Sequence, residues 1–349
     1  RYEDFSVFGD TTNVKIAGIY RLSDDVRIRA SRSTGFHAPT SGQASITNVT
    51  TQNKLIEIGG VLVPTLVDQG TLPLNSAAGQ LAANFVESET GVRPALGTED
   101  ADNYSLGIAV DIDAFSFTLD YYSIKVTDRI ALGSNVNFLD ALNAVNGDSY
   151  SEVGTALAGL DADGLINRQD FLGLDDLSQF RFFTNAFGTD TQGLDLVGKV
   201  DFDAMGGAST LTFAFNYNKT EVPDQYVGGG FLQIGEGRRE ALEDQLPNIK
   251  GNVAWSHTTG NLRTLVRANY YGAWRSTGNG YNAGATTMID LQLAYQVSDN
   301  LELVLGADNL FDEYPDKNPG RGGSGQLYPE DSPFGFNGGS WYLQGRYSF

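Results

Sequence analysis

Apolar and polar residues alternate one by one along many short stretches of this chain. At the carboxy terminus, Trp341, Leu343 and Tyr347 alternate with Gln344 and Arg346. Because successive side chains of a strand point to opposite faces, this alternation predicts strands with one apolar and one polar face. The predicted strands cover residues 2–9, 14–21, 26–31, 104–111, 115–122, 180–203, 210–217, 249–256, 262–270, 289–296, 301–308 and 341–349.

The connections between these predicted strands are sorted by length. A transmembrane barrel has short periplasmic turns and long extracellular loops in strict alternation, whereas a soluble sandwich has no reason to sort its loops. The chain therefore predicts an all-β, antiparallel transmembrane β-barrel with Phe349 at the periplasmic rim. The short polar turns lie at 23–25, 111–113, 205–207, 258–260 and 298–300, and the long links at 37–101, 131–178, 221–246, 275–284 and 312–339.

Composition agrees with this fold and excludes other classes. The chain has 23 Lys and Arg against 43 Asp and Glu, a net charge of −20, which argues against nucleic acid as a partner. It has no cysteine, which excludes disulfides and a catalytic thiol. A soluble propeller should repeat every 40 to 50 residues or so, and no such repeat is present. The charged residues on the second face of most strands instead suit a wet lumen.

Aromatic residues gather near the ends of the predicted strands. Rings at the two membrane–water interfaces form girdles in transmembrane barrels. The sequence therefore predicts that these rings lie at an interface: Tyr121, Tyr122, Tyr270, Tyr271, Trp274, Phe311, Tyr314, Trp341 and Phe349.

Three segments resemble TonB-dependent receptors. Residues 301–315 end in Asn-Leu-Phe-Asp, as the penultimate strand of that family does, and residues 341–349 form a terminal strand that closes on Phe. Residues 29–40 resemble the family's mid-barrel strand that ends in Gly-Phe-Arg-Ala-Pro, with His37 in place of the arginine. The strand spacing between the three segments also fits the family.

This resemblance implies a location and an activity. The family's barrel has 22 strands and a plugged lumen, so residues 1–349 would supply about the last 12 strands, the carboxy-terminal half. The plug domain, the first strands and the TonB box would lie outside this chain. The resemblance implies a bacterial outer-membrane protein, among lipid and lipopolysaccharide, that imports a siderophore, vitamin or oligosaccharide with energy from the TonB complex. The alternative is a self-contained 12-strand barrel acting as a pore, adhesin or surface enzyme.

Candidate functional residues follow from position and side-chain chemistry. We predict no catalytic residue and no required cofactor, because the two histidines, His37 and His257, lack a nucleophile and a polar partner at a suitable spacing. A nutrient would contact rings of the extracellular loops and the strand end, at Tyr281, Tyr328, Phe334, Phe336 and His37. By parity the lumen receives Arg27, Arg29, Arg263 and Arg267, which we expect to pair with acidic residues of the plug.

Residues 159–170 match part of a calcium-binding loop. Oxygen-bearing side chains alternate there, with glycine at the expected sharp turn. The segment departs from the pattern at Gly159, where an aspartate is expected. The hypothesis is a calcium ion held by Asp161, Asp163, Asn167 and Asp170. The surrounding link 131–178 is also strongly acidic, which favours solubility and could attract cations.

Overall fold

The computed structural model describes residues 1–5, 9–58, 61–319 and 325–349, and within them the side chains other than 52–58, 61–65 and 67. None of the described helices is long and apolar enough to cross a membrane. The strands are β1 (Tyr2–Phe5), β2 (Gly9–Thr12), β3 (Lys15–Arg21), β4 (Val26–His37), β5 (Asn48–Ile58), β6 (Val61–Thr71), β7 (Glu99–Ile112), β8 (Phe115–Leu132), β9 (Val136–Asn137), β10 (Leu177–Arg181), β11 (Phe183–Ala204), β12 (Gly207–Glu221), β13 (Ile249–Thr259), β14 (Leu262–Tyr271), β15 (Trp274–Ser276), β16 (Tyr281–Ala283), β17 (Thr286–Ser298), β18 (Leu301–Asp308) and β19 (Ser340–Tyr347). The α-helices are α1 (Ser41–Ser45), α2 (Ala77–Thr90), α3 (Phe138–Asn146), α4 (Val153–Ala162) and α5 (Glu236–Glu243).

One antiparallel sheet of eleven strands forms the wall. Its order is β19-β18-β17-β14-β13-β12-β11-β8-β7-β4-β3, so consecutive wall strands of the chain are neighbours in the sheet. The predicted alternation of short turns and long links is confirmed, as is the all-β class. Several strands run beyond their predicted ends, and β8 extends to Leu132.

The pairing register places one polar and one apolar face on the wall. Arg267 lies opposite Asp290, and Asp195 opposite Asn216, on the polar face. Leu291, opposite Val266, lies on the other face. Apolar side chains of that second face are largely uncovered by protein, and Leu343 is 77% exposed. A face of this kind suits a hydrocarbon solvent.

Two predicted strand boundaries are wrong. Residues 2–9 do not form one strand of the wall: Tyr2–Phe5 pairs with Gly9–Thr12 in a separate two-stranded sheet, and the described residues supply eleven wall strands. The predicted strand 180–203 is interrupted, because Leu177–Arg181 pairs with the loop strand β6 before the wall strand begins at Phe183. Among the described residues, the edge strands β3 and β19 do not pair with each other, so the sheet is open.

The short turns have the backbone geometry that tight hairpins need. Met205 and Gly206 both have positive φ, 48° and 76°, between β11 and β12. Two adjacent residues with positive φ make the type I′ turn, whose twist matches that of the strands it joins. Asp113 (φ 49°) and Gly260 (φ 53°) serve two other short turns.

The long links contain folded structure of their own, which the alternation pattern did not predict. A hydrophobic core forms where α2, α3 and α4 pack beside a four-stranded sheet of β5, β6, β10 and β9. Phe138, Leu157 and Phe180 are fully buried there. Helix α2 has a detectable sequence signal, because Ser76 caps its first turn and Gly91 ends it in the left-handed conformation.

Two tyrosines on the polar face lie over glycines of a neighbouring strand. Tyr122 covers Gly193, and Tyr342 covers Gly306, so closely that a methyl group on either glycine would overlap the ring. The hydroxyl of Tyr122 accepts a hydrogen bond from Asn218 Nδ2 at 2.8 Å. The prediction that Tyr122 belongs to a lipid interface is therefore wrong, because its position in the strand turns it inward.

Candidate ligand-binding surface

The loop between β18 and β19 begins with a tight turn built from the Asn-Leu-Phe-Asp segment. Asn309 and Asp312 both have positive φ, 51° and 59°. The Asn309 side chain accepts a hydrogen bond from Glu313 N (3.0 Å) and donates one to Glu313 O (2.7 Å). Asp312 accepts a hydrogen bond from Gly339 N at 2.8 Å, which holds the two ends of the loop together. The turn therefore fixes the starting position of Tyr314.

Three rings of this loop stack in a column. The rings of Tyr314 and Tyr328 are 5.2 Å apart and nearly parallel, with 11° between their planes. Tyr328 is 6.5 Å from Phe336, with 21° between those planes. Phe336 is 48% exposed. The aromatic column, Tyr314–Tyr328–Phe336, thus ends in a ring that a ligand could contact.

Tyr281 connects the preceding loop to this one. Its hydroxyl donates a hydrogen bond to the Asp316 carbonyl at 3.0 Å, and the Asp316 carboxylate accepts one from Gly284 N at 2.6 Å. Burial raises the pKa of Tyr281, and the negative charges of Asp316 and Asp331 raise it further. A hydrogen bond to Asp312 likewise raises the pKa of Tyr314. Both phenols therefore stay neutral and can donate hydrogen bonds at ordinary pH.

A third loop, between β12 and β13, is tied to the same region. Arg275 donates to both carboxylate oxygens of Glu240 on α5, with Nε–Oε2 at 2.9 Å and Nη2–Oε1 at 3.3 Å. Arg275 N also donates to the Asp244 carbonyl at 2.8 Å. Bidentate pairs of this kind fix direction as well as distance. The last three long loops therefore form one connected surface.

The predicted ligand-contacting residues divide into groups. Tyr328 and Phe336 meet in the aromatic column, and Tyr281 lies on the adjoining loop. Phe334 is buried, and its ring packs 5.1 Å from Tyr271. His37 lies at the end of β4, near the opposite edge of the sheet, with Nδ1 3.7 Å from a Glu99 carboxylate oxygen.

Sequence reasoning placed Tyr314, Tyr271 and Trp274 at a membrane interface, and the structure corrects this. Tyr314 belongs to the aromatic column, Tyr271 contacts Phe334, and Trp274 is 4% exposed in the loop sheet of β15 and β16. Rings of an interfacial girdle and rings of a loop both occur near strand ends, so position along the strand does not distinguish them. For Tyr314, the preceding Asn309–Asp312 turn is the sequence signal that could have assigned the ring to the loop.

The four predicted lumen arginines have carboxylate partners within the wall itself. Arg27 pairs with Asp111, and Arg29 pairs with Asp120 across the intervening Gly107. Arg263 Nη2 lies 3.3 Å from Glu302 and Arg267 Nη1 lies 3.9 Å from Asp290. All four arginines therefore form ion pairs with carboxylates of the wall strands. Pairing with plug carboxylates stays a prediction.

The predicted calcium ligands are not gathered around one point. Residues 153–162 form helix α4, so Asp161 lies in its last turn, where Oδ1 accepts a hydrogen bond from Arg168 N at 2.9 Å. Asn167 Oδ1 accepts one from Gln169 N at 3.2 Å. Within the described ranges, no three acidic or histidine side chains converge on a metal-sized space. Helix α4 includes the first residues of the predicted loop, and its Leu157 and Leu160 are buried in the loop core. Calcium binding by residues 159–170 stays a prediction.

One polar pair is buried in the wall near the short turns. Ser209 Oγ and His257 Nδ1 are 2.9 Å apart, and the two residues are 2% and 7% exposed. The His257 ring stacks on Trp255 at 5.4 Å. The two side chains meet because the register of β12 and β13 places Ser209 opposite His257. With the serine covered, the pair fits a structural role.

Comparisons with known proteins agree with the geometry. Residues 1–310 match the family described as TonB dependent receptor-like, beta-barrel. The fold is similar to a variant of the ferric enterobactin receptor PfeA from Pseudomonas aeruginosa in complex with enterobactin, with a TM-score of 0.62 and 16% identity over 100% of this chain and 42% of that one. It is also similar to the siderophore receptor PirA from Acinetobacter baumannii, with a TM-score of 0.59 and 15% identity over 100% and 42%.

The matched structures are longer than this chain. The chain spans about two fifths of the length of the solved receptors it matches, 42% for both. At this identity the likeness concerns the fold. No curated protein matches the sequence. The family and the structural neighbours are transport receptors rather than enzymes.

Proposed function

Because this chain belongs to the family of TonB-dependent receptor β-barrels, we propose that it forms the carboxy-terminal part of a bacterial outer-membrane receptor that imports a ferric siderophore. Binding occurs at the extracellular loops, and energy comes from the TonB complex, acting on a plug domain inside the completed barrel. Lipid and lipopolysaccharide surround the apolar face of the wall. The similarity to receptors whose names specify siderophores favours this ligand class over vitamins and oligosaccharides.

The aromatic column is the observation that carries the proposal. Tyr314, Tyr328 and Phe336 stand on a loop at the end of the wall away from the short turns, and Phe336 presents an exposed ring. Aromatic rings with polar hydroxyls offer both apolar contact and hydrogen bonds, which suits a chelate with an organic rim. Hydrogen bonds to Asp312 and Asp316 hold the loop of the column closed at its base and join it to the preceding loop before a ligand arrives, which lowers the entropy cost of binding.

The open sheet supports a larger barrel. Among the described residues, β3 and β19 each have a neighbour on one side only. In a bilayer, unpaired backbone groups at such an edge cost several kcal/mol each. Further strands beside both edges would remove that cost. A self-contained 12-strand pore would instead need these edges to meet.

Iron uptake by cells tests the proposal. Cells lacking the gene are complemented with full-length receptor, wild type or Tyr328→Ala/Phe336→Ala, and given radioactive iron as ferrichrome, ferrioxamine B or ferric enterobactin. Each ring contact contributes about 0.5–1.5 kcal/mol, so the double variant should need about tenfold more chelate for half-maximal uptake. Phe311→Ala, which removes an exposed ring from the same loop, is the control. Loss of TonB should abolish uptake but not binding.

Two results would contradict the proposed function. Uptake of all three chelates could be unaffected by deletion of the gene. Alternatively, the receptor could import cobalamin or an oligosaccharide and no ferric chelate. Equal surface amounts of each variant, measured on whole cells, ensure that a lost signal reflects lost transport.

A further inference from the structure

The charge of the extracellular loops narrows the ligand class. We propose that the aromatic column takes a ferric chelate of zero or positive net charge, of the tris-hydroxamate kind, and discriminates against anionic tris-catecholates. This inference rests on the proposed function, since it concerns the selectivity of the same surface. It is carried by three observations: the ring geometry, the acidic excess around it, and the ion pairs that already engage the loop arginines.

The first observation is that the column itself brings no cation to its exposed end. Tyr314, Tyr328 and Phe336 form a continuous stack, and Phe336 closes it. The tyrosine hydroxyl of Tyr314 is engaged with Asp312, which keeps the phenol neutral by raising its pKa. Contact at this end is therefore with a ring and neutral groups, which suits an uncharged chelate rim.

The second observation is the acidic excess of the surrounding loops. The loop between β18 and β19 holds five carboxylates against Lys317 and Arg321, and the loop between β12 and β13 holds five against Arg238 and Arg239. The link between β8 and β11 is more acidic still, with Arg168 and Arg181 as its only cations. A field of this sign attracts cations and repels anions approaching the surface. The carboxylates of the first two loops are Asp224, Glu236, Glu240, Glu243, Asp244, Asp312, Glu313, Asp316, Glu330 and Asp331.

The third observation is that most loop arginines already have carboxylate partners. Arg239 lies 3.1 Å from Asp224 and 3.2 Å from Glu243, and Arg275 holds Glu240 at 2.9 Å. Arg93 pairs with Glu87 and Arg168 with Asp175. In the described part of the loops, Arg181, Arg238 and Lys317 make no ion pair. At each paired arginine, an anionic chelate would have to displace an existing partner and leave that carboxylate uncompensated, and the three cations without an ion pair are outnumbered by the carboxylates around them.

The chemistry of iron chelates turns this field into a selectivity. Each catecholate group brings two negative charges to ferric iron, so the tris-catecholate complex is a trianion. Each hydroxamate brings one, so the tris-hydroxamate complex is neutral, and a free ammonium group makes it a cation. The acidic loops therefore repel the tris-catecholate complex. They do not repel the neutral tris-hydroxamate complex, and they attract its cationic form. Complementary charge acts mainly on the association rate and on the rejection of wrong partners.

Binding to the full-length receptor in detergent tests the selectivity. The probes are ferric enterobactin (anionic), ferrichrome (neutral) and ferrioxamine B (cationic). Each is titrated into the receptor at low and at high salt, and binding is followed by the intrinsic fluorescence of the protein. At low salt we expect ferrichrome and ferrioxamine B to bind at least about tenfold more tightly than ferric enterobactin. The difference should shrink as salt screens the loop charges.

A charge-reversed variant provides the matched comparison. Glu313→Lys/Glu330→Lys changes two exposed carboxylates beside column rings, and neither side chain makes a hydrogen bond or ion pair among the described residues. We expect this variant to bind ferric enterobactin more tightly and ferrioxamine B more weakly, each by about threefold to tenfold. Asp24→Lys/Asp25→Lys makes the same charge change in a short turn at the opposite rim, and its preference should equal that of the wild type.

The outcomes separate this inference from the proposed function. If ferric enterobactin binds as tightly as the hydroxamates, or if charge reversal leaves the preference unchanged, the charge selectivity is wrong while siderophore transport stands. If no ferric chelate binds and cobalamin or an oligosaccharide does, both proposals fail. The selectivity is supported if the receptor prefers neutral and cationic chelates, if this preference depends on salt, and if Glu313→Lys/Glu330→Lys weakens it.

Discussion

Substitution of Gly193 by alanine should destabilise the wall through the ring of Tyr122. The Tyr122 ring lies over Gly193 on the polar face, and a Cβ at position 193 would stand 2.6 Å from Cε1 and closer still to Cζ. No ordinary carbon–carbon contact is that short, so the ring must move. It would then lose the hydrogen bond that its hydroxyl accepts from Asn218 Nδ2 at 2.8 Å.

The magnitude follows from these contacts. Overpacking costs about 1–3 kcal/mol, and the lost hydrogen bond about 0.5–1.5 kcal/mol. Replacing a strand glycine by alanine returns about 0.5–1 kcal/mol through lower chain entropy. The net expectation for Gly193→Ala is a loss of about 1–3 kcal/mol. In a Tyr122→Ala background the overlap disappears, so the same substitution should be neutral or slightly stabilising.

Thermal unfolding of the full-length receptor in detergent, followed by tryptophan fluorescence, measures this effect. Gly35→Ala on the interior strand β4 is the control, because the nearest atoms to its Cβ position lie at an ordinary contact distance of 3.8 Å. Gly193→Ala should melt below both the wild type and Gly35→Ala. Equal melting temperatures for the two alanine variants would refute the argument. So would a Gly193→Ala penalty that persists after Tyr122 is removed.

Two further predictions concern a buried pair and the loop phenols. Ser209→Ala leaves His257 Nδ1 buried without its partner and should lower stability by about 1–3 kcal/mol in the same melting assay, and full recovery with Ser209→Thr would support a lost hydrogen bond over lost volume. The pKa values of Tyr281 and Tyr314 are raised, so the stability they contribute is present below pH about 10 and is lost as pH rises through the raised values. Absorbance of tyrosinate during alkaline titration should show a late component that Tyr281→Phe and Tyr314→Phe reduce; titration curves identical to that of the wild type would contradict the prediction.

The predicted lumen arginines were expected to pair with acidic residues of a plug domain, and in the structure they pair with carboxylates of the wall. Arg29 and Arg267 lie on the polar face of the wall, where Asp120 and Asp290 are close enough to pair with them. The arginine side chains are exposed, and pairs at such a surface contribute little to stability, about 0–1 kcal/mol. Their effect is to lower the net charge that the wall presents inward. A plug domain would meet this partly neutralised surface.

The Asn-Leu-Phe-Asp motif predicts one part of the candidate site, the turn, and leaves the ring contacts unpredicted. Asn-Leu-Phe-Asp is recognisable in the sequence, and its hydrogen bonds explain why the chain turns at Asn309 and Asp312. Nothing in the motif indicates that Tyr314 would stack on Tyr328, since thirteen residues lie between them in the sequence. Phe334 and Phe336 are equally apolar and two residues apart, yet one is buried and the other exposed.

The alternation of side chains by itself determined the wall strands, their polar and apolar faces, and the sorting of short and long connections. It could do so because a strand's two faces are set by the pleat, and adjacent residues report it directly. The folded core of the long links, the pairing of Ser209 with His257, and the aromatic column were decided only by tertiary structure. These contacts join segments distant in sequence, and their formation depends on which surfaces are brought together by packing, for which the chain carries no periodic signal.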